Sequence, residues 1–186
     1  NQTRMGNYFL MKYDSFKDFD SFVSKVYMNA HFKNTHIYAR DIAYFVPELS
    51  KVDVDIQLSG SAKGKVNDLQ AKALSIKTGK TTYLNGDFDI KGLPVLKEAF
   101  LDLNLNQAFV NKQDLDYIIE KITGKKDKLV PPIINKFGDI NFKGRFTGFI
   151  NDFIAFGEFK TKLGRIVSDV NMKIDTKGEP SYSGVI

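Results

Sequence analysis

From Lys51 onward, Val52, Val54, Ile56 and Leu58 alternate with Asp53, Asp55, Gln57 and Ser59. A period of two sends alternate side chains to opposite faces of an extended chain, so this run predicts a strand with one apolar and one wet face. The pattern returns at Ile166, Ser168, Val170, Met172 and Ile174 against Val167, Asp169, Asn171 and Lys173, and more loosely in FLDLNLN at 100–106. Half-buried antiparallel sheet is the economical explanation. Asn85-Gly86 stands between TTYL and DFDI, and both residues tolerate positive φ, which predicts a tight hairpin there. Gly79, Gly92, Gly144, Gly148, Gly164 and Gly178 punctuate other segments.

Two regions break the β rhythm. In DSFKDFDSFVSKV (14–26), Phe16, Phe19, Phe22 and Val23 recur at helical spacing behind Asp14 or Ser15 as a cap. The stretch 111–138 predicts a helix from Lys112 to Ile122, stopped by Gly124, with a second helical turn after Pro131-Pro132. RDIAYFVPEL (40–49) suits a short turn halted before Pro47. Helices over 14–26 and 112–136 are expected to cap the ends of a sheet.

One phrase occurs twice. LSGSAKGKVNDLQA (58–71) and FKGRFTGFINDFIA (142–155) align without a gap, matching Gly60 with Gly144, Gly64 with Gly148, Asn67 with Asn151, Asp68 with Asp152 and Ala71 with Ala155. Each copy reads as a strand, an Asn-Asp turn and a second strand, with another turn around Gly79 or Gly164. The chain is therefore expected to be mainly β: an elongated antiparallel sheet of repeated hairpins, curled into a groove or closed as a sandwich. Pseudo-repeats are placed at about 52–91 and 139–175, with a helical insertion at 111–138.

Composition narrows the chemistry. The 186 residues hold no cysteine, which excludes disulfides, thiolate metal sites and thiol nucleophiles. With 42% hydrophobic and 26% charged residues the chain can bury a core, and its net charge of +5 is spread along strand-like segments, the densest run being Lys125-Lys126-Asp127-Lys128. No stretch is long and apolar enough to cross a bilayer, and the first residues do not form a signal peptide. TGKTT (78–82) lacks the earlier glycine of a phosphate loop, Leu74 standing in its place. DVNMKIDTKGE (169–179) lacks the glycine of a calcium loop, since Ile174 occupies that position. His31 and His36 have no further ligands at metal spacing, and Asp53 with Asp55 reads as a solvated pair. FKGRF (142–146) interleaves aromatic and basic residues without the context of a nucleic-acid module, so no nucleic-acid partner is expected. No catalytic, cofactor or metal residue is assigned, and an enzyme is not expected.

At DIAYFVPEL, LSGSAKGKVNDLQAKAL, NGDFDIKGLP and FKGRFTGFINDFIAFGEFKTKLGRIVSDVNMKI the sequence resembles the AsmA-like family, in particular the TamB-like translocation and assembly proteins of Bacteroidetes. The resemblance runs from about Asp14 to Ile186 and rests on strand and turn phrases. It implies an internal segment, residues 1–186, of a larger repetitive β protein of the periplasm, anchored in the inner membrane outside this segment. It further implies a non-enzymatic scaffold or lipid conduit in outer-membrane biogenesis, with phospholipid acyl chains and outer-membrane assembly proteins as partners. Val52, Val54, Ile56 and Leu58 would then line an apolar groove, although the same residues would equally fill a closed core. A cell-surface adhesive or glycan-binding β module, carrying an exposed aromatic platform, is the competing expectation.

Overall fold

The structure, a computed structural model, describes residues 3–4, 6, 8–43, 47–123, 138–175 and 179–185. Ten strands follow in chain order: β1 (Tyr8–Lys12), β2 (Tyr27–Tyr38), β3 (Asp55–Lys65), β4 (Asp68–Thr78), β5 (Thr82–Lys91), β6 (Phe100–Val110), β7 (Ile140–Phe149), β8 (Asp152–Thr161), β9 (Gly164–Ile174) and β10 (Pro180–Val185). They form one antiparallel sheet in which every strand lies beside its neighbours in sequence. The sheet is open: β1 and β10 stand at its two edges and do not pair with each other. Short helices α1 (Phe22–Lys25) and α2 (Ala39–Ile42) and the longer α3 (Lys112–Thr123) interrupt the meander, with 3-10 turns at Phe16–Ser21 and Pro47–Lys51.

The repeated phrase is a repeated turn. Strand β3 closes on β4 with Lys65 opposite Asp68, and β7 on β8 with Phe149 opposite Asp152, so the two-residue loops are Val66-Asn67 and Ile150-Asn151. Asp68 and Asp152 begin the next strand rather than belonging to the loop. The unusual backbone lies upstream of the Asn-Asp pair, at Gly64 (φ +120°) and Gly148 (φ +132°), where a β-carbon would overlap the carbonyl oxygen of Asp68 or Asp152. Only glycine accepts both demands there. Each turn is also tied to the far end of the next strand but one: the Gly92 N–H, just past β5, donates to the Asn67 carbonyl at 2.9 Å, and the Ile174 N–H, at the end of β9, to the Asn151 carbonyl at 2.8 Å.

Several sequence expectations need correcting. Asn85 and Gly86 do not make a hairpin; they sit within β5, where the pairing with β6 shifts register at that point. Both halves of the segment find partners in line on β4 and β6, and this pairing outweighs the local turn preference. Strand β3 starts at Asp55, so Val52 and Val54 precede it. The segment 14–26 is a 3-10 turn followed by a four-residue α-helix instead of one amphipathic helix. Helix α3 runs from Lys112 to Thr123, while the run at 125–128 and the turn after Pro131-Pro132 lie outside the described residues.

Register shifts occur at each junction from β2/β3 to β6/β7, at Phe32/Thr35, Ser59/Ser61, Ala71/Leu74, Asn85/Gly86 and Leu105/Ala108. Bulges bend and twist the strands that carry them, so a line of them across neighbouring strands curves the sheet. Leu74, Phe88 and Leu105 are buried beside this line, each at most 8% exposed.

Candidate functional site

Two faces of this sheet differ in chemistry. Residues opposite one another across a strand pair share a face. The apolar face carries the row Phe9, Ala30, Ala62, Ala71, Phe88, Leu103, Phe146, Ala155, Val170 and Gly184, one residue from each strand in unbroken register. A parallel row runs through Leu58, Ile76, Leu84, Ala108, Phe142, Phe159 and Ile166. Between the rows lie Leu74, Gly86, Leu105, Gly144 and Gly157, so the backbone itself forms part of this surface.

Alternation along each strand builds the rows, and aromatic pairs pack them. Phe142 and Phe159 have ring centroids 4.5 Å apart, and Phe146 and Phe153 are 4.6 Å apart. Such contacts add to the transfer of apolar area from water. Phe32, Ile76, Leu84, Ile90, Leu103, Phe146, Phe153 and Phe159 remain only partly buried around the central cluster. Buried positions such as Ala30, Phe88, Ala155 and Met172 thus alternate on this face with half-buried aromatic and branched side chains.

Of the four residues singled out from the sequence, Ile56 and Leu58 lie on β3 opposite Thr78 and Ile76, and both are half-buried. Val54 is half-buried just before the strand, and Val52 is 2% exposed between the 3-10 turn and β3. The four therefore do not form one continuous strand face. The larger apolar surface comes from β4–β8, which periodicity at 51–59 could not reveal.

The opposite face is polar over β4–β7 and laced with cross-strand pairs. Arg145 grips Asp102 with two bonds, Nε at 2.8 Å and Nη2 at 2.7 Å, while the Thr147 hydroxyl donates to the same carboxylate at 3.1 Å. These partners, the guanidinium first, hold the Asp102 carboxyl below the ordinary carboxylate range. Asp87 is lowered chiefly by the Ala73 N–H, which donates at 2.8 Å from the bulged part of β4, and also by Lys72 at 3.0 Å. The Gln70 amide donates to Asp89 at 3.2 Å. On β8, Glu158 takes both Arg165 at 2.8 Å and Lys160 at 3.1 Å, which bring its pKa down to about 2, Arg165 having the larger effect.

Helical segments are fastened to opposite strand ends. At one end the Asn67 N–H donates to the Val23 carbonyl at 3.2 Å. At the other, Asp114 of α3 accepts from the N–H groups of Lys80 (2.9 Å), Thr81 (3.2 Å) and Thr82 (3.2 Å) and from the Thr82 hydroxyl (2.8 Å). Burial raises the Asp114 pKa, but these donors outweigh it and leave the carboxyl below its usual value. The TGKTT stretch does gather backbone donors around an anion, and that anion is the chain's own carboxylate. Sequence reasoning missed Asp114; its signal was Asn111 three residues ahead, whose side-chain oxygen accepts from the N–H groups of Gln113 (3.0 Å) and Asp114 (3.2 Å) as the helix cap.

No family model, curated protein or solved structure matches this chain. Among the described residues no three histidine, aspartate or glutamate side chains converge as metal ligands, and no helix is long and apolar enough to cross a membrane. His36 Nδ1 lies 3.3 Å from Asp55, Asp53 pairs with Arg40 at 2.8 Å, and His31 lies beside Tyr8, so these groups go to separate partners.

Proposed function

We propose that the chain is a non-enzymatic envelope scaffold whose sheet offers its apolar face to phospholipid acyl chains during outer-membrane biogenesis. The observation that carries this reading is the row from Phe9 to Gly184, which crosses all ten strands and reaches both edges of an open sheet. At strand spacings of about 4.8 Å, such a row sets the exposed Phe9 and the half-buried Ala62, Leu103, Phe146 and Val170 against an acyl chain, over a floor of buried Ala30, Ala71, Phe88 and Ala155. The acyl chain gains the transfer free energy of each methylene removed from water, about 0.8 kcal/mol. The surface is built of aliphatic and aromatic side chains, the chemistry that suits a conduit or assembly platform. The strand and turn phrases resembling the TamB-like proteins support a periplasmic setting, an anchor in the inner membrane on the parent protein and contact with outer-membrane assembly proteins.

Native mass spectrometry of the purified chain, paired with extraction and identification of co-purifying lipid, tests the reading. The expected result is a phospholipid adduct that detergent or organic solvent removes without unfolding the sheet. A chain that emerges lipid-free and also fails to take up a fluorescent fatty acid overturns it.

A further inference from the structure

We propose that the polar face of β4–β8 binds a neutral oligosaccharide laid across the strands. The site is separate from the apolar face and does not depend on lipid binding there. A shallow groove of about 390 Å³ on this face is lined by Gln70, Asp89, Asp102, Asn104 and Arg145 together with the Lys72–Asp87 pair. Its groups are planar amides, carboxylates and a guanidinium, the functions that can donate to and accept from neighbouring hydroxyls on a sugar ring.

Preorganisation separates this groove from an ordinary solvated strand face. Asp102 is fixed by Arg145 and Thr147, Asp87 by the bulge N–H of Ala73 and by Lys72, and Asp89 by Gln70. Holding side chains in place before a ligand arrives lowers the entropic cost of binding. Capacity remains unspent: the Asn104 side chain, between Asp87 and Arg145 in the register, makes no hydrogen bond among the described residues, and Asp89 faces Asp102 with one oxygen still open. Both cations are already paired with carboxylates, so no free positive charge is offered to an anionic ligand, and the third carboxylate, Asp89, bonded to the neutral Gln70 amide, is left to accept from sugar hydroxyls.

Exposed aromatics border the same face. Phe156 lies opposite Arg145 on the next strand and is 63% exposed, while Phe100 and Phe149 stack edge to face at 5.5 Å near the strand ends. An exposed aromatic ring gives the C–H face of a sugar a flat apolar contact while the hydroxyl edge meets the polar groups. The rows also have a suitable spacing. Successive positions from Asp87 through Asn104 and Arg145 to Phe156 are separated by one strand, about 4.8 Å, close to the length of one pyranose unit.

Neutral hexose and N-acetylhexosamine oligomers of roughly five units, long enough to cover these strands at that spacing, serve as probes, first on a glycan array and then by amide chemical-shift titration of the full chain. The expected result is binding of at least one such oligomer, with shifts centred on Gln70, Asp89, Asn104 and Arg145. Asn104→Ala with Asp89→Ala, and separately Phe156→Ala, should each weaken it tenfold or more, whereas Lys173→Ala should not. Asn104, Phe156 and Lys173 are exposed and Asp89 is half-buried, and an unchanged circular dichroism spectrum excludes unfolding as the cause. No neutral oligomer binding at millimolar concentration, binding restricted to charged glycans, or binding indifferent to the Asn104, Asp89 and Phe156 changes overturns the proposal.

Discussion

The two copies of the repeated turn agree on one side of the sheet and part on the other. On the apolar face they match: Leu69 and Phe153, then Ala71 and Ala155, follow Gly64 and Gly148 in equivalent positions. On the polar face, the first copy presents Gln70 and Lys72, where the second presents Ile154 and Phe156, exposed by 50% and 63%. They also handle the crowded middle of the sheet differently. In the first copy, β4 bulges at Lys72–Ala73, with Ala73 at φ +46° and its N–H held by Asp87. In the second, Gly144 pairs directly with Gly157 and no register shift interrupts β8. The turn and the apolar rows are thus the fixed part of the unit, while bending and outer chemistry vary.

The largest expected effect tests the two solutions against each other. Gly157→Ala places a β-carbon against the Lys143 carbonyl and should cost roughly 3 kcal/mol. Ala73→Gly, its counterpart across the repeat, relieves a positive φ and should leave stability within about 1 kcal/mol of the parent. Urea denaturation of both variants reads the contrast, and equal losses would remove the distinction between a bulge and a glycine pair. Next in size, Asp87→Ala takes away the acceptor for the bulge N–H and should cost about 1 kcal/mol, with faster amide exchange at Ala73 as the local signature.

A pH titration probes the second copy. Glu158, lowered to about 2 from the ordinary 4.5 by Arg165 and Lys160, contributes its ion pairing fully above the ordinary value. That contribution fades as pH falls through about 2, and because the pairs are exposed, added salt should move the carboxyl midpoint back toward 4.5. Carbon-detected NMR of the glutamate carboxyl provides the readout, and a midpoint near 4.5 at low salt would show that the pairs do not persist in solution. The smallest effect belongs to the outer face. Ile154→Gln with Lys at Phe156 converts the second copy toward the first and should change unfolding free energy by less than about 0.5 kcal/mol per site, while light scattering should record less self-association.

The strands were legible because their periodicity is strong, and the repeat was legible because glycine, asparagine and alanine recur in register. What the sequence concealed was pairing. Asn85-Gly86 has the chemistry of a turn, and only its neighbours on β4 and β6 make it mid-strand. Val52 and Val54 continue an alternating pattern past the point where the ladder begins. The polar groove joins residues from four strands, Gln70 to Arg145, and Asp114 reaches back across more than thirty positions to the turn at 80–82. The Asn111 cap marks where α3 begins, but the contacts themselves are created by strand register and by the docking of α3.

The most direct test of the central claim uses a fatty acid carrying a spin label near the end of its chain, added to isotopically labelled protein. Paramagnetic broadening should concentrate on methyl and aromatic signals of the apolar face, among them Leu84, Leu103, Phe146 and Phe153, and spare Gln70, Asp89 and Asn104. Broadening confined to the polar face, or absent from the apolar rows at saturating label, would rule out acyl-chain binding by the apolar face.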